Sequence, residues 1–285
     1  MKHFVDRLWL KEHLNDQNIR IVDCRFQLGN PDAGYRAYHQ AHIEGAVYFH
    51  LEKDLSGKVE EHGGRHPLPK IEAFKSLLED SGIHSDTIIV AYDDGPSAFA
   101  TRLWWLLKYV GHDKVYILNG GYQGWKEAGF PVDSMIPTYP KTELTFDIQS
   151  QMYASYDEVK GIAETPHSEV ILVDSREENR YLGLIEPIDK KAGHIPGAIN
   201  FPWTDGLKEG EFKDAKEQED RFKKIDKSRK VIVYCGSGVT ATPNYLALKE
   251  AGFSNVKLYI GSFSDWVSYD ENKVETGGSR EVLED

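Results

Sequence analysis

The chain of 285 residues carries one set of landmarks twice, and that duplication restricts its fold more than any single motif does. Two β-branched runs end in Asp-x-Arg, one at Ile19 to Arg25 and one at Val170 to Arg176. His42, within Ala41-His42-Ile43-Glu44-Gly45-Ala46, follows Asp23 by nineteen residues, and His194, within Gly193-His194-Ile195-Pro196-Gly197-Ala198, follows Asp174 by twenty. Ile88-Ile89-Val90-Ala91-Tyr92-Asp93 then matches Lys230-Val231-Ile232-Val233-Tyr234-Cys235. Each half closes with a glycine and, five residues on, a tryptophan: Gly120 to Trp125 and Gly261 to Trp266. So long a period excludes a solenoid and reads as two homologous domains.

Within each half, short β-branched runs alternate with helical stretches such as Ala98 to Val110 and Thr240 to Ala251. That alternation is the mark of an α/β domain built on a mostly parallel sheet. Helices then cover both faces of the sheet, which is why its strands read as continuous apolar runs. The expected layout is a first domain over residues 1–135, a linker over 136–150 and a second domain over 151–285. The linker is placed by Pro131, Pro137 and Pro140 among polar neighbours. The charge-dense stretch Lys208 to Lys230 reads as a solvated helix and its flanks.

The formal net charge of −12 argues against non-specific binding to nucleic acid or to an anionic membrane. No apolar run approaches the roughly 20 residues needed to span a bilayer. The N-terminal residues have an early acidic side chain and no apolar signal core, so a cytoplasmic protein is expected. Two cysteines, Cys24 and Cys235, form no disulfide framework and cannot make a four-cysteine metal site. No metal-ligand spacing, dinucleotide fingerprint or Walker-type lysine is present, and no cofactor is expected.

Cys235 ends the buried run Val231 to Tyr234 and opens the turn Gly236-Ser237-Gly238, with a helical pattern starting near Thr240. Ligands of open α/β sheets bind at the carboxyl ends of strands. A glycine-rich turn opening a helix directs several backbone N–H groups into one concavity, which favours an anion. Here the anion would be the Cys235 thiolate, and the same cradle would hold a persulfide. A small buried hydrophobe is the plain alternative for such a cysteine. In the first half the matching position is Asp93, followed by Asp94-Gly95-Pro96, so that copy lacks a nucleophile.

Cys235-Gly236-Ser237-Gly238-Val239-Thr240-Ala241 resembles the active-site loop of the tandem-rhodanese sulfurtransferases, most of all the 3-mercaptopyruvate branch. The resemblance extends over nearly the whole chain, through Gly63-Gly64-Arg65-His66-Pro67-Leu68-Pro69, Gly193 to Ala198, Asn119 to Trp125, Gly261 to Trp266 and Val274-Glu275-Thr276-Gly277. It implies a catalytic second domain, an inactive first domain and a site between them. It implies a small anionic sulfur donor at Arg180, Gly236, Ser237, Gly238, Val239 and Thr240, and a thiol acceptor, such as thioredoxin, or cyanide.

Arg180 is implied to grip the donor's carboxylate or sulfonate, a task its fork suits; a surface ion pair is the alternative. Arg176, Asp174 and His194 are implied to brace the second domain. A second anion-binding arginine is often found after a Glu-Pro pair, but Glu186-Pro187 is followed by Ile188, leaving Lys190 or Lys191 as substitutes. His42 is implied to face the interdomain cleft and to work with Ser237, or else to cap a turn. Arg65 and His66 sit on an insertion, Leu51 to Pro69, that either helps close the site or is a surface loop. Cys24 is expected to be a buried bystander, and Trp104, Trp105, Trp125 and Trp266 to be core.

Two rival functions differ in class. A cysteine-dependent phosphatase needs an arginine six residues after its cysteine, where this chain has Ala241. A non-enzymatic binding module would have no use for a cysteine kept in one copy and lost in the other. Among sulfur donors, the uncharged Gly236-Ser237 pair suits a singly charged carboxylate better than thiosulfate, the alternative donor.

Overall fold

A computed structural model describes residues 1–165 and 169–278 of the chain. They form two compact units. The first comprises Met1–Gly57, Leu68–Gln149 and Glu209–Phe212; the second comprises Lys58–Pro67, Ser150–Lys208 and the residues from Lys213 onward. The segment from Ser134 to Gln149, where a linker is expected, has no helix or strand. Among the described residues no helix is long and apolar enough to cross a membrane.

The first unit is built on a five-stranded sheet in the order Phe4–Val5, Val115–Leu118, Ile88–Tyr92, Ile19–Asp23 and Val47–Tyr48. Every neighbouring pair is parallel. Ile19–Asp23 is buried at every position, as a strand covered on both faces must be. The helix Ala98–Tyr109 packs Leu103, Trp104, Trp105, Leu106 and Leu107 into the core.

The second unit repeats this with a four-stranded parallel sheet: Val256–Leu258, Val231–Tyr234, Ile171–Asp174 and Ile199–Asn200. A single bridge from Tyr153 to Leu258 stands where the first unit has its edge strand. Trp266 and Phe263 fill the core beside Ile232 and Tyr234. The charged stretch folds into the helix Ala215–Arg221, opened by a capping box of Asp214 and Glu217.

One bracing network occurs in both units. Asp23 receives the Arg25 guanidinium, and Arg25 also donates to the Ala41 carbonyl at 2.7 Å. Asp174 receives Arg176, which donates to the Gly193 carbonyl at 2.6 Å. Tyr38 donates to the Ala46 carbonyl, and Tyr181 to that of Ala198, each at 2.8 Å. The duplicated Asp-x-Arg and His-Ile elements are therefore paired parts of one sheet-end brace.

Candidate active site

Cys235 follows directly on Val231–Tyr234, a strand flanked on both sides within the second sheet. Its side chain is buried and reduced. The loop turns back at Gly238, whose backbone has φ +76°. A Cβ there would lie 2.2 Å from the Ile260 carbonyl oxygen, so only glycine fits. This turn brings the Gly238 N–H to 3.2 Å from Cys235 Sγ, where it donates. The helix Ala241–Glu250 then runs from the same loop. Ser262, itself in the left-handed region, accepts the Cys235 N–H at 3.1 Å and donates to the Tyr259 carbonyl at 2.8 Å. A thiolate, or a persulfide in its place, thus meets a backbone donor in the turn that leads into this helix.

Residues 58–67 of the insertion belong to this unit and pack on the turn before Trp266. Gly63 N–H donates to Asp265 at 2.7 Å, and Arg65 N–H to Ser264 Oγ at 3.2 Å. A Cβ on Gly64 would lie 2.3 Å from the Gly261 carbonyl oxygen, so the approach is one of backbone on backbone. Two side chains thereby reach the cysteine loop. His66 Nδ1 lies 2.8 Å from Ser237 Oγ, and the Arg65 guanidinium is 3.1 Å from where a Gly236 Cβ would stand.

Arg180 comes from the short helix Glu178–Tyr181, and its two terminal nitrogens lie 3.5 and 3.6 Å from the same Gly236 position. Asp189 bonds both arginines: Arg65 through Oδ1 and Arg180 through Oδ2, the latter at 3.1 Å. Glu186 takes Arg180 at 2.7 Å and Arg176 at 3.1 Å. Burial works to raise the Glu186 pKa, but the Arg180 hydrogen bond and the Asp189 and Ile188 N–H groups outweigh it and hold it below the usual range. Burial likewise works to lower the Arg176 pKa, and Asp174 outweighs it, so the net shift is upward. Three arginines therefore face three carboxylates, and the cluster is neutral overall.

The expected site residues separate into two groups. Cys235, Gly236, Ser237, Gly238, Arg180 and Arg65 come together. Val239 is buried behind the loop, and its carbonyl accepts from Thr242; Thr240 precedes the helix without capping it. His42 is committed to partners within its own unit. It is fully buried in the first unit, stacked on Tyr38, with Nδ1 on the Tyr38 carbonyl and Nε2 on that of Met135. His194 makes the same bond to the Tyr181 carbonyl, so both histidines serve the brace. Ser237 is met by His66, from the insertion residues that belong to its own unit. The expected substitutes for the missing arginine are not drawn in: Lys191 is tied to the Asp270 and Asn272 carbonyls, and Lys190 is exposed. Arg65 supplies the second guanidinium.

The first unit shows what its copy of the loop became. The Asp93 carboxylate accepts four backbone N–H groups, from Gly95, Ser97, Phe99 and Ala100, at 2.9 to 3.2 Å. Its anion cradle is filled by its own side chain. Cys24 is buried nearby, and burial, with Asp23 and Asp93 close by, pushes its thiol well above the ordinary range.

The family model described as "Rhodanese-like domain" matches this chain twice, over residues 6–128 and 155–269. The chain therefore belongs to the tandem rhodanese-domain sulfurtransferases and is an enzyme of that class. It is 40% identical over 277 residues to a protein of Pseudomonas aeruginosa named probable 3-mercaptopyruvate sulfurtransferase, covering 94% of this chain and 96% of that one. It is 32% identical over 277 residues to the thiosulfate sulfurtransferase of Mus musculus, covering 92% and 91%. The crystal structure of SseA from Escherichia coli, described as showing the rhodanese fold of 3-mercaptopyruvate sulfotransferases, superposes with a TM-score of 0.81 at 33% identity, over 92% of this chain and 98% of that one.

Proposed function

We propose that the chain moves the thiol sulfur of 3-mercaptopyruvate to a thiol or cyanide, carrying it as the sulfane sulfur of a persulfide on Cys235. The observation that carries this is the Gly238 N–H donated to Cys235 Sγ at the head of a helix, with two guanidiniums beside Gly236. In the first step the thiolate attacks the donor sulfur. The S–S bond forms, the C–S bond breaks, and its electron pair goes to carbon. The enolate so formed takes up the proton that the donor thiol gives up, and pyruvate leaves. The hydrogen-bonded pair of Ser237 and His66 would carry that proton. In the second step cyanide or a thiolate takes the outer sulfur and Cys235 returns as thiolate. Thioredoxin is a fitting thiol acceptor, and a cytoplasmic setting would keep both cysteines reduced.

Thiosulfate is the second reading, favoured by the likeness to the mouse thiosulfate sulfurtransferase. Its sulfite would leave as a dianion. The neutral arginine–carboxylate cluster supports a monoanionic donor over a dianionic one. Turnover with the two donors side by side tests this: a higher kcat/KM for thiosulfate would overturn the preference.

A further inference from the structure

Asp189 has no place in the steps above, yet it is the residue on which the two arginines meet. Its side chain is 2% exposed and bonded to both guanidiniums, so it has little surface of its own to offer a donor. Its own N–H is fixed by Glu186 at 3.0 Å, which sets the carboxylate's position. Arg65 gives Nη1 to Asp189 and turns Nη2 to Gly236; Arg180 gives Nη2 to Asp189, and its Nη1 also faces Gly236. Two like charges this close to one point repel each other, and a carboxylate shared between them offsets the repulsion. It also holds two long side chains in one arrangement, which otherwise costs rotamer entropy at each binding event.

We propose that Asp189 is a positioning residue for the donor. It joins Arg65 and Arg180 into one clamp whose remaining N–H groups converge beside Cys235 and take a single carboxylate. Asp189 acts through the arginines and does not touch the donor. The proposal depends on the carboxylate-donor reading for the substrate's identity, but the clamp can be tested without that reading.

The test uses the full chain in a Cys24→Ser background and compares two alkylating reagents at Cys235, iodoacetate and neutral iodoacetamide. The parent should react faster with iodoacetate. Asp189→Asn keeps the shape and removes the charge. It should lower the iodoacetate-to-iodoacetamide rate ratio by about tenfold, with the iodoacetamide rate within about twofold of the parent. Arg65→Gln, on a side chain that is one-third exposed and safe for folding, should lower the ratio equally, and the double variant should lose no more than either single one. The KM for 3-mercaptopyruvate should rise in parallel while kcat holds. A parent that turns over no 3-mercaptopyruvate but keeps the ratio pattern would sink the functional reading and leave the clamp standing. An unchanged ratio in Asp189→Asn, or a parent without iodoacetate preference, overturns the proposal. A raised ratio also overturns it, since Asp189 would then compete with the donor, and an equal fall in both rates would show a merely structural role.

Discussion

The His66 imidazole and the Ser237 hydroxyl lie 2.8 Å apart, two residues beyond the nucleophile. A serine alone moves a proton poorly at neutral pH, and an imidazole behind it can accept a proton and return it. His66→Ala should lower kcat with 3-mercaptopyruvate by about 10- to 100-fold, at the lower end of what general acid–base catalysis provides. Ser237→Ala should do the same, and the double variant should fall no further. Steady-state rates over a pH series check this; additive losses would separate the two residues.

Of the two arginines beside Gly236, Arg180 is the more tightly held, by Glu186 and Asp189 together. Arg180→Lys keeps a cation for Glu186 but loses the fork. It should raise KM for 3-mercaptopyruvate with little change in kcat. Arg180→Ala should cost about 2–4 kcal/mol in kcat/KM, because it leaves both the donor carboxylate and buried Glu186 short of partners. Alkylation of Cys235 by iodoacetamide should continue in both variants, which shows that the thiol itself is intact.

Gly238 bears on both folding and chemistry. Gly238→Ala forces a Cβ to within 2.2 Å of the Ile260 carbonyl at a positive φ. The expected cost is about 2–4 kcal/mol of stability, with the loop displaced from Cys235 Sγ. Thermal unfolding gives the first quantity and donor-dependent sulfur loading the second; a variant of parental stability and loading would contradict the loop geometry.

Asp93→Cys should not produce a second active centre. The substitution removes the acceptor of four backbone N–H groups and costs about 1–3 kcal/mol. Asp94 adjoins the new thiol, and Pro96 offers no N–H to a thiolate. Mass spectrometry after donor treatment should find no sulfur at position 93. Sulfur found there would show that the first unit is silent only for want of a cysteine.

Much of this was legible in the sequence because it is local or periodic. The strand before Cys235, the glycine turn after it and the duplicated brace are all written in contiguous residues. The duplication held a further lesson about His42. A residue matched by His194 in the other copy was better read as part of the shared brace than as part of a site found once. His66, Arg65 and Asp189 were harder to place. Their partners, Ser237 and one another, are more than a hundred residues away across the insertion, and no periodic pattern encodes such a contact. The visible trace was the Gly63-Gly64 pair, which marks a close backbone approach without saying to what.

Sulfur on Cys235 is the centre of the account, and intact-protein and peptide mass spectrometry after 3-mercaptopyruvate treatment tests it most directly. The peptide containing Cys235 should gain one sulfur atom, lose it on adding cyanide with release of thiocyanate, and show neither change in Cys235→Ser, while Cys24→Ser behaves as the parent. A Cys235→Ser protein that still turns over donor, or a parent whose added sulfur sits on Cys24, would contradict it.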